Sequence, residues 1–122
     1  MDQIKGGCQC GKVRFMTPPD AIRVGICHCM DCRKHHGALF HASAIFHKDA
    51  VEIHGETRAY RGRNFCPECG SSVFSFSDNE IEIHLGALDQ PNQFKPTYEL
   101  WTSRREAWLP TFAQTKTYEA DR

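Results

Sequence analysis

The seven cysteines of this 122-residue chain fall in three tight clusters, and their spacing constrains the fold more than any other feature. Cys8-Gln9-Cys10 is a C-x-C, Cys27-His28-Cys29-Met30-Asp31-Cys32 is a C-x-C-x-x-C, and Cys66-Pro67-Glu68-Cys69 is a C-x-x-C followed by Gly70. Thiolates one or two residues apart converge on one soft cation, and tetrahedral zinc is the usual occupant. A closed structural site takes four ligands, so Cys8/Cys10 with Cys66/Cys69 make one. Cys27, Cys29 and Cys32 then remain as three ligands with one coordination position open, the arrangement a catalytic zinc requires. A rival partition joins Cys27/Cys29 to Cys66/Cys69 and leaves Cys8/Cys10 spare. The outer-pair partition is preferred, because a lone C-x-C is a poor site while C-x-C-x-x-C offers three ligands by itself.

Disulfides are the weaker reading. The cysteine count is odd, its density is below that of a disulfide scaffold, and C-x-C bridges are strained. Met1-Asp2-Gln3-Ile4-Lys5 lacks the apolar core of a signal peptide, and no apolar run approaches a membrane span. The expected setting is therefore reducing and cytoplasmic, where clustered cysteines bind metal. Lys plus Arg and Asp plus Glu number 15 each. That balance argues against a nucleic-acid partner held by a basic face. Arg61-Gly62-Arg63 and Arg104-Arg105 read as solvated surface.

The length fits one domain over 1–122, with a modest core. No linker or repeat divides it. The outer zinc site would tie the N-terminal hairpin to the middle of the chain, so metal binding and folding should be coupled. Most segments are short, alternating and bounded by turns, which predicts a mainly β domain. Strands are expected at 11–15, 22–27, 40–46, 51–53, 57–60, 73–76, 80–85 and 98–101. In the 80–85 strand, Ile81, Ile83 and Leu85 point one way, and Glu80, Glu82 and His84 the other. Residues 30–36 predict a turn of helix closed by Gly37. Residues 86–91 predict a loop, and the tail from Tyr118 is expected to fray.

Gly6-Gly7-Cys8-Gln9-Cys10-Gly11-Lys12-Val13-Arg14-Phe15 resembles the opening of the glutathione-dependent formaldehyde-activating (GFA) family, which includes the centromere protein V-like proteins. The run Cys27 to Ala38 resembles its central motif, and Phe65 to Ser71 its third. Gly86-Ala87-Leu88-Asp89 and Trp108 fit its C-terminal half. The resemblance implies an Mss4-like (β-tent) fold of twisted antiparallel sheets stapled by zinc. It implies a structural zinc on Cys8, Cys10, Cys66 and Cys69, and a second zinc on Cys27, Cys29 and Cys32, a site that with only three protein ligands should lose metal more readily than the closed one. The implied activity is that of a carbon–sulfur lyase, condensing formaldehyde with glutathione to S-(hydroxymethyl)glutathione. The expected partner is a small thiol such as glutathione, with no nucleic acid and no membrane, and the chain a monomer or weak homodimer.

Three thiolates with Zn²⁺ sum to a charge of −1, against −2 for four, so the open site is the better Lewis acid. It would keep a substrate thiol deprotonated, polarise a carbonyl, or exchange a ligating cysteine for the incoming thiol. Cys27, Cys29 and Cys32 are accordingly the candidate catalytic residues. Arg33, Lys34 and His35 are the candidate substrate-binding residues. Arg33 and Lys34 would meet the carboxylates of a glutathione-like anion, or balance the anionic zinc–thiolate centre as a solvated pair. His28, His35 and His36 are the nearest acid–base candidates, with His28 expected to point away from the metal. His41, His47, His54 and His84 read as ordinary surface or strand residues. The large aromatics, including Phe40, Phe76, Trp101 and Trp108, read as core, with Phe40 and Trp108 as candidate pocket walls. Ser71 and Ser72 suit a turn bonded to sulfur better than a nucleophile. A sulfoxide-reductase-like redox role would need a spare cysteine, and two zinc sites use all seven. A non-catalytic zinc module for a protein partner is the alternative. It predicts a fourth protein ligand at the middle cluster, or no pocket beside it.

Overall fold

The computed structural model describes residues 2–122. Among them the strands are β1 (Ile4–Gly7), β2 (Arg14–Thr17), β3 (Arg23–Cys27), β4 (His41–His47), β5 (Glu52–His54), β6 (Arg58–Tyr60), β7 (Arg63–Phe65), β8 (Ser72–Ser77), β9 (Glu80–His84), β10 (Tyr98–Leu100) and β11 (Lys116–Thr117). One α-helix, α1 (Met30–His36), and three 3₁₀ turns complete the regular structure of the described residues. A three-stranded sheet runs β1-β2-β5, and an eight-stranded sheet runs β11-β10-β3-β4-β9-β8-β7-β6.

The strand alternation divides the large sheet into two faces with different work. Ala44 pairs with Ile83, Phe46 with Ile81, and Phe74 with Ile83, so these side chains share one face. Val13 and Phe15 of the small sheet's hairpin pack onto that face, with Phe15 edge-to-face on Phe74 at 6.3 Å. Each such fully buried side chain stabilises by about 1.5–3 kcal/mol. Cys8 and Cys66 belong to the same buried cluster, which makes the outer cysteine group continuous with the core. The other face carries Cys27, His41, Ser43, Glu82, His84, Ser75 and Arg63, through the pairs Cys27–His41, Ser43–His84, Ser75–Glu82 and Arg63–Ser75.

Three expectations need correction. The sheets are not wholly antiparallel: β3–β10 and β10–β11 are parallel. A long connection over residues 85–97 carries the chain back across the sheet, and parallel pairing requires such a crossover. The tail is not frayed. Tyr118 N–H donates to Glu99 O at 2.9 Å, Trp101 N–H to Ala120 O at 3.1 Å, and Ser103 Oγ to Glu119 O at 2.7 Å. Nor are all the aromatics core, for Phe76 is 40% exposed and Trp108 69%. The strand Ile4–Gly7 went unread because Gly6-Gly7 has low strand propensity. Gly6 is needed there for close approach, since a Cβ would sit 2.4 Å from Ala87 O. Helix α1 forms as predicted, with Gly37 in the left-handed conformation (φ 60°) closing it. No helix of the described residues is long and apolar enough to cross a membrane.

Candidate metal centres

The outer cysteines meet as the spacing predicted. One sulfur from each of Cys8, Cys10, Cys66 and Cys69 lies within 4.8 Å of the other three. Cys8 Sγ is 3.6 Å from Cys10 Sγ, and Cys10 Sγ is 3.7 Å from Cys66 Sγ. These distances are far beyond a disulfide bond. Four sulfurs at about 2.3 Å around a tetrahedral zinc stand about 3.8 Å apart, so the donor set fits that ion. Two tight turns bring the sulfurs together. Cys8 N–H donates to Val13 O, and Gly70 N–H donates to Cys66 O at 2.8 Å, with Gly70 at a positive φ of 79°. The Val13 amide donates to Cys8 Sγ at 3.2 Å. Ser71 Oγ stands 3.2 Å from Cys69 Sγ and accepts from the Gln9 amide at 3.0 Å, which is a turn-bracing role. The Ser71 hydroxyl and amide lower the Cys69 pKa to about 5.

Cys27, Cys29 and Cys32 form a second group within 4.8 Å, partly open to solvent. Cys27 ends β3. Cys29 caps α1, its sulfur accepting from the Cys32 amide at 3.3 Å. Cys32 is in the first turn of α1. The Cys27 thiol, burial and the Cys27 charge together push the Cys32 thiol far up, while a hydrogen bond from Arg63 pulls it down. Burial also raises Cys29. Three crowded thiols therefore resist becoming three thiolates by themselves, and a divalent cation relieves that repulsion. The rival partition, with Cys27 and Cys29 joined to Cys66 and Cys69, is not the one the fold assembles.

The three thiols border a pocket of about 320 Å³, whose walls also include His36, His41, Arg61, Arg63, Trp101 and Asp121. Arg61 and Arg63 pass from this pocket into an adjoining groove of about 300 Å³, shared with Lys34, His35 and Tyr60. The arginine pair that read as solvated surface thus lies at the site. Arg61 sits in the turn between β6 and β7, and Arg63 opens β7, the strand that leads into the third cysteine cluster. Asp121 accepts from Trp101 Nε1 at 2.9 Å, which places the docked tail in the pocket wall. A larger, apolar cavity of about 550 Å³ lies under Ile26, Phe40 and Phe112, with none of the thiols in its lining. Phe40 is thus a cavity wall, without Trp108.

Of the candidate substrate-binding residues, Arg33 turns away from the thiol pocket. Its Nη1 donates to Glu106 Oε2 and to Arg104 O, both at 3.1 Å. Lys34 and His35 face the adjoining groove. His28, between two thiols, is fully buried and bonds Glu99 through Nε2 at 2.9 Å. His47 and His54 are exposed, as expected. His41 and His84 are strand residues, within the expectation of surface or strand, but neither is at the surface: His84 is 3% exposed and His41 half-buried. The outward side of an alternating strand is solvated only if nothing covers it, and α1 with its loop covers this one.

The comparisons with known proteins accord with this architecture. No curated protein matches the chain. Among solved structures, it is similar to a crystal structure of a Rhodobacter sphaeroides protein, at 21% identity and a TM-score of 0.60, over 73% of this chain and 91% of that one. At that identity the likeness bears on the fold. A family model described as glutathione-dependent formaldehyde-activating enzyme matches residues 3–104, which span all three cysteine clusters and every residue of the thiol pocket's wall but Asp121. The chain therefore belongs to the glutathione-dependent formaldehyde-activating enzyme family.

Proposed function

We propose that this protein is a zinc-dependent enzyme of the carbon–sulfur lyase type, with an Mss4-like fold, that joins glutathione to formaldehyde. The sulfur adds to the carbonyl carbon, the C=O π bond opens, and the thiol proton ends on the new hydroxyl of S-(hydroxymethyl)glutathione. In this reading Cys8, Cys10, Cys66 and Cys69 hold a structural zinc. Cys27, Cys29 and Cys32 hold the second, which supplies Lewis acidity and an open coordination position when bound.

The supporting observation is the pocket itself. Three thiols line it with no fourth cysteine, and two arginines stand in the same wall. Arg61 and Arg63 suit the carboxylates of a tripeptide thiol as bidentate forks. Lys34 adds a further cation to the adjoining groove, which also holds Asp31 and His35, while the Arg33–Glu106 pair anchors α1. Trp101 offers an apolar surface beside the thiols. A non-catalytic zinc module has no need of a pocket with paired arginines beside a three-ligand cluster.

The test combines native mass spectrometry with NMR detection of S-(hydroxymethyl)glutathione. Two zincs per chain, a glutathione adduct at the second, and faster adduct formation than in buffer are expected. Cys29→Ser should lose the second zinc and the acceleration. If it retains both, the reading fails. A fixed zinc count with no glutathione response would point to the non-catalytic module.

A further inference from the structure

A second set of ligating side chains lies on the polar face of the large sheet. His36 ends α1, His41 opens β4 and His84 closes β9. One ring nitrogen from each lies within 4.8 Å of the other two. The His36 and His41 rings stack 4.3 Å apart, and the His84 ring stands edge-on to them at 4.5 and 4.8 Å. The backbone enforces this meeting. His84 pairs with Ser43 across the ladder, so His41, two residues before Ser43, is its diagonal neighbour on the same face. The left-handed Gly37 then reverses the chain after α1, and the loop that follows leads into His41, whose ring stacks on that of His36.

The surroundings favour lone pairs over protons. Burial and neighbouring positive groups lower the pKa of His36 to about 4 and of His41 to about 3, and burial puts His84 well below its usual value. Both His84 nitrogens are engaged by hydroxyls, Nδ1 with Ser72 Oγ and Nε2 with Ser75 Oγ, each at 2.9 Å. A neutral imidazole has one N–H and one lone pair, so one hydroxyl accepts and the other donates. Ser75, His36 and His41 border the thiol pocket. A ligand arriving from that pocket reaches Nε2 by displacing one serine hydroxyl. Ser72, itself 2.8 Å from His35 Nε2, stays to hold the opposite nitrogen. A histidine ligand with its second nitrogen fixed in this way is the usual arrangement at a metal.

We propose that His36, His41 and His84 form a third metal site, which takes a divalent transition metal such as zinc or cobalt through three imidazole nitrogens. Imidazole donors suit these ions, and three leave a position for solvent. Tetrahedral coordination brings the nitrogens to about 3.3 Å from one another, so the side chains close inward on binding. Three neutral ligands leave the full double charge on the ion. The site is then cationic where the thiolate site is anionic, on the wall of one pocket.

Cobalt(II) titration of full-length protein carrying two equivalents of zinc, one per thiolate site, tests this. One further equivalent is expected to bind with ligand-field absorption and no thiolate-to-cobalt charge transfer. His36→Gln and His36→Gln/His41→Gln should weaken that equivalent at least tenfold while native mass spectrometry still counts both thiolate-bound zincs. Side-chain ¹⁵N NMR of the wild type provides a second readout that needs no variant. Added zinc should shift the ring signals of His36, His41 and His84 and leave those of His47 and His54 in place. No further equivalent below millimolar cobalt, one that brings thiolate charge transfer, one that the variants leave intact, or shifts at His47 and His54 would each overturn the proposal. The thiolate-bound zincs are counted separately, so failure here is distinct from failure of the proposed activity.

Discussion

His28 Nε2 lies 2.9 Å from Glu99 Oε1, and both side chains are at most 3% exposed. The pair ties β3, at the segment that carries two of the middle cysteines, to β10, which lies beside it in parallel. The His28 amide donates to Leu100 O at 3.0 Å, and the Thr115 hydroxyl donates to Glu99 Oε2. The segment bearing Cys27 and Cys29 is therefore held from the far end of the chain.

Removing one partner of a buried pair strands the other, at a cost of about 3–5 kcal/mol. Glu99→Ala should lower the melting temperature by roughly 10 °C or more. Glu99→Gln, which keeps a hydrogen-bonding oxygen, should cost much less. Thermal unfolding of the zinc-loaded proteins distinguishes the two, and equal losses would count against the pair as the cause.

The two thiol clusters should respond differently to loss of a ligand. Cys66 is fully buried within the core cluster, whereas Cys29 lies at the edge of a pocket. Cys66→Ser should lower the melting temperature by at least about 10 °C, because structural zinc binding and folding are one equilibrium. Cys29→Ser should lose one zinc with a change of a few degrees. Zinc content and melting curves of the two variants provide the check.

Arg63 and Arg33 make opposite predictions for substrate binding. Arg63 is in the pocket wall with the three thiols, while Arg33 is taken by Glu106. Losing a charge-assisted hydrogen bond costs about 1.5–3 kcal/mol. Arg63→Ala should therefore raise KM for the thiol by about tenfold or more, and Arg33→Ala by less than about threefold. Steady-state kinetics with glutathione decides this. The reverse order would return the carboxylates to Arg33.

Arg14 and Asp89 join the first and last family-like motifs through a two-fork ion pair. The Arg14 hydrogen bonds lower the Asp89 pKa from its ordinary 3.8. A lowered carboxylate stabilises the fold in full above its unfolded value and loses that contribution as pH falls through the folded one. Both side chains are about 40% exposed, so solvent screening limits the effect to less than about 1 kcal/mol. Asp89→Asn should be slightly less stable than the wild type at pH 6, and the difference should shrink as the pH falls below 3.8. A difference that does not change between pH 6 and acid pH would mean that the substitution acts through something other than charge.

The cysteine partition was legible in the sequence because ligand spacing is a local property. C-x-C and C-x-x-C fix sulfurs within reach of one ion wherever the chain goes, and the count of seven left three for the middle site. The helix over residues 30–36 and most strands were legible too, since alternation and a closing glycine are also local. The histidine cluster and Arg63 were not legible. Each sits on the outward side of a strand or helix whose periodicity is the same whether that side meets water or a covering segment. Only the tertiary structure decided which, by laying α1 over the polar face of β4 and β9 and by folding the tail onto β10. Parallel pairing of β10 had the same origin, since the return path of residues 85–97 is a property of the whole sheet, and three residues of strand carry no mark of their direction.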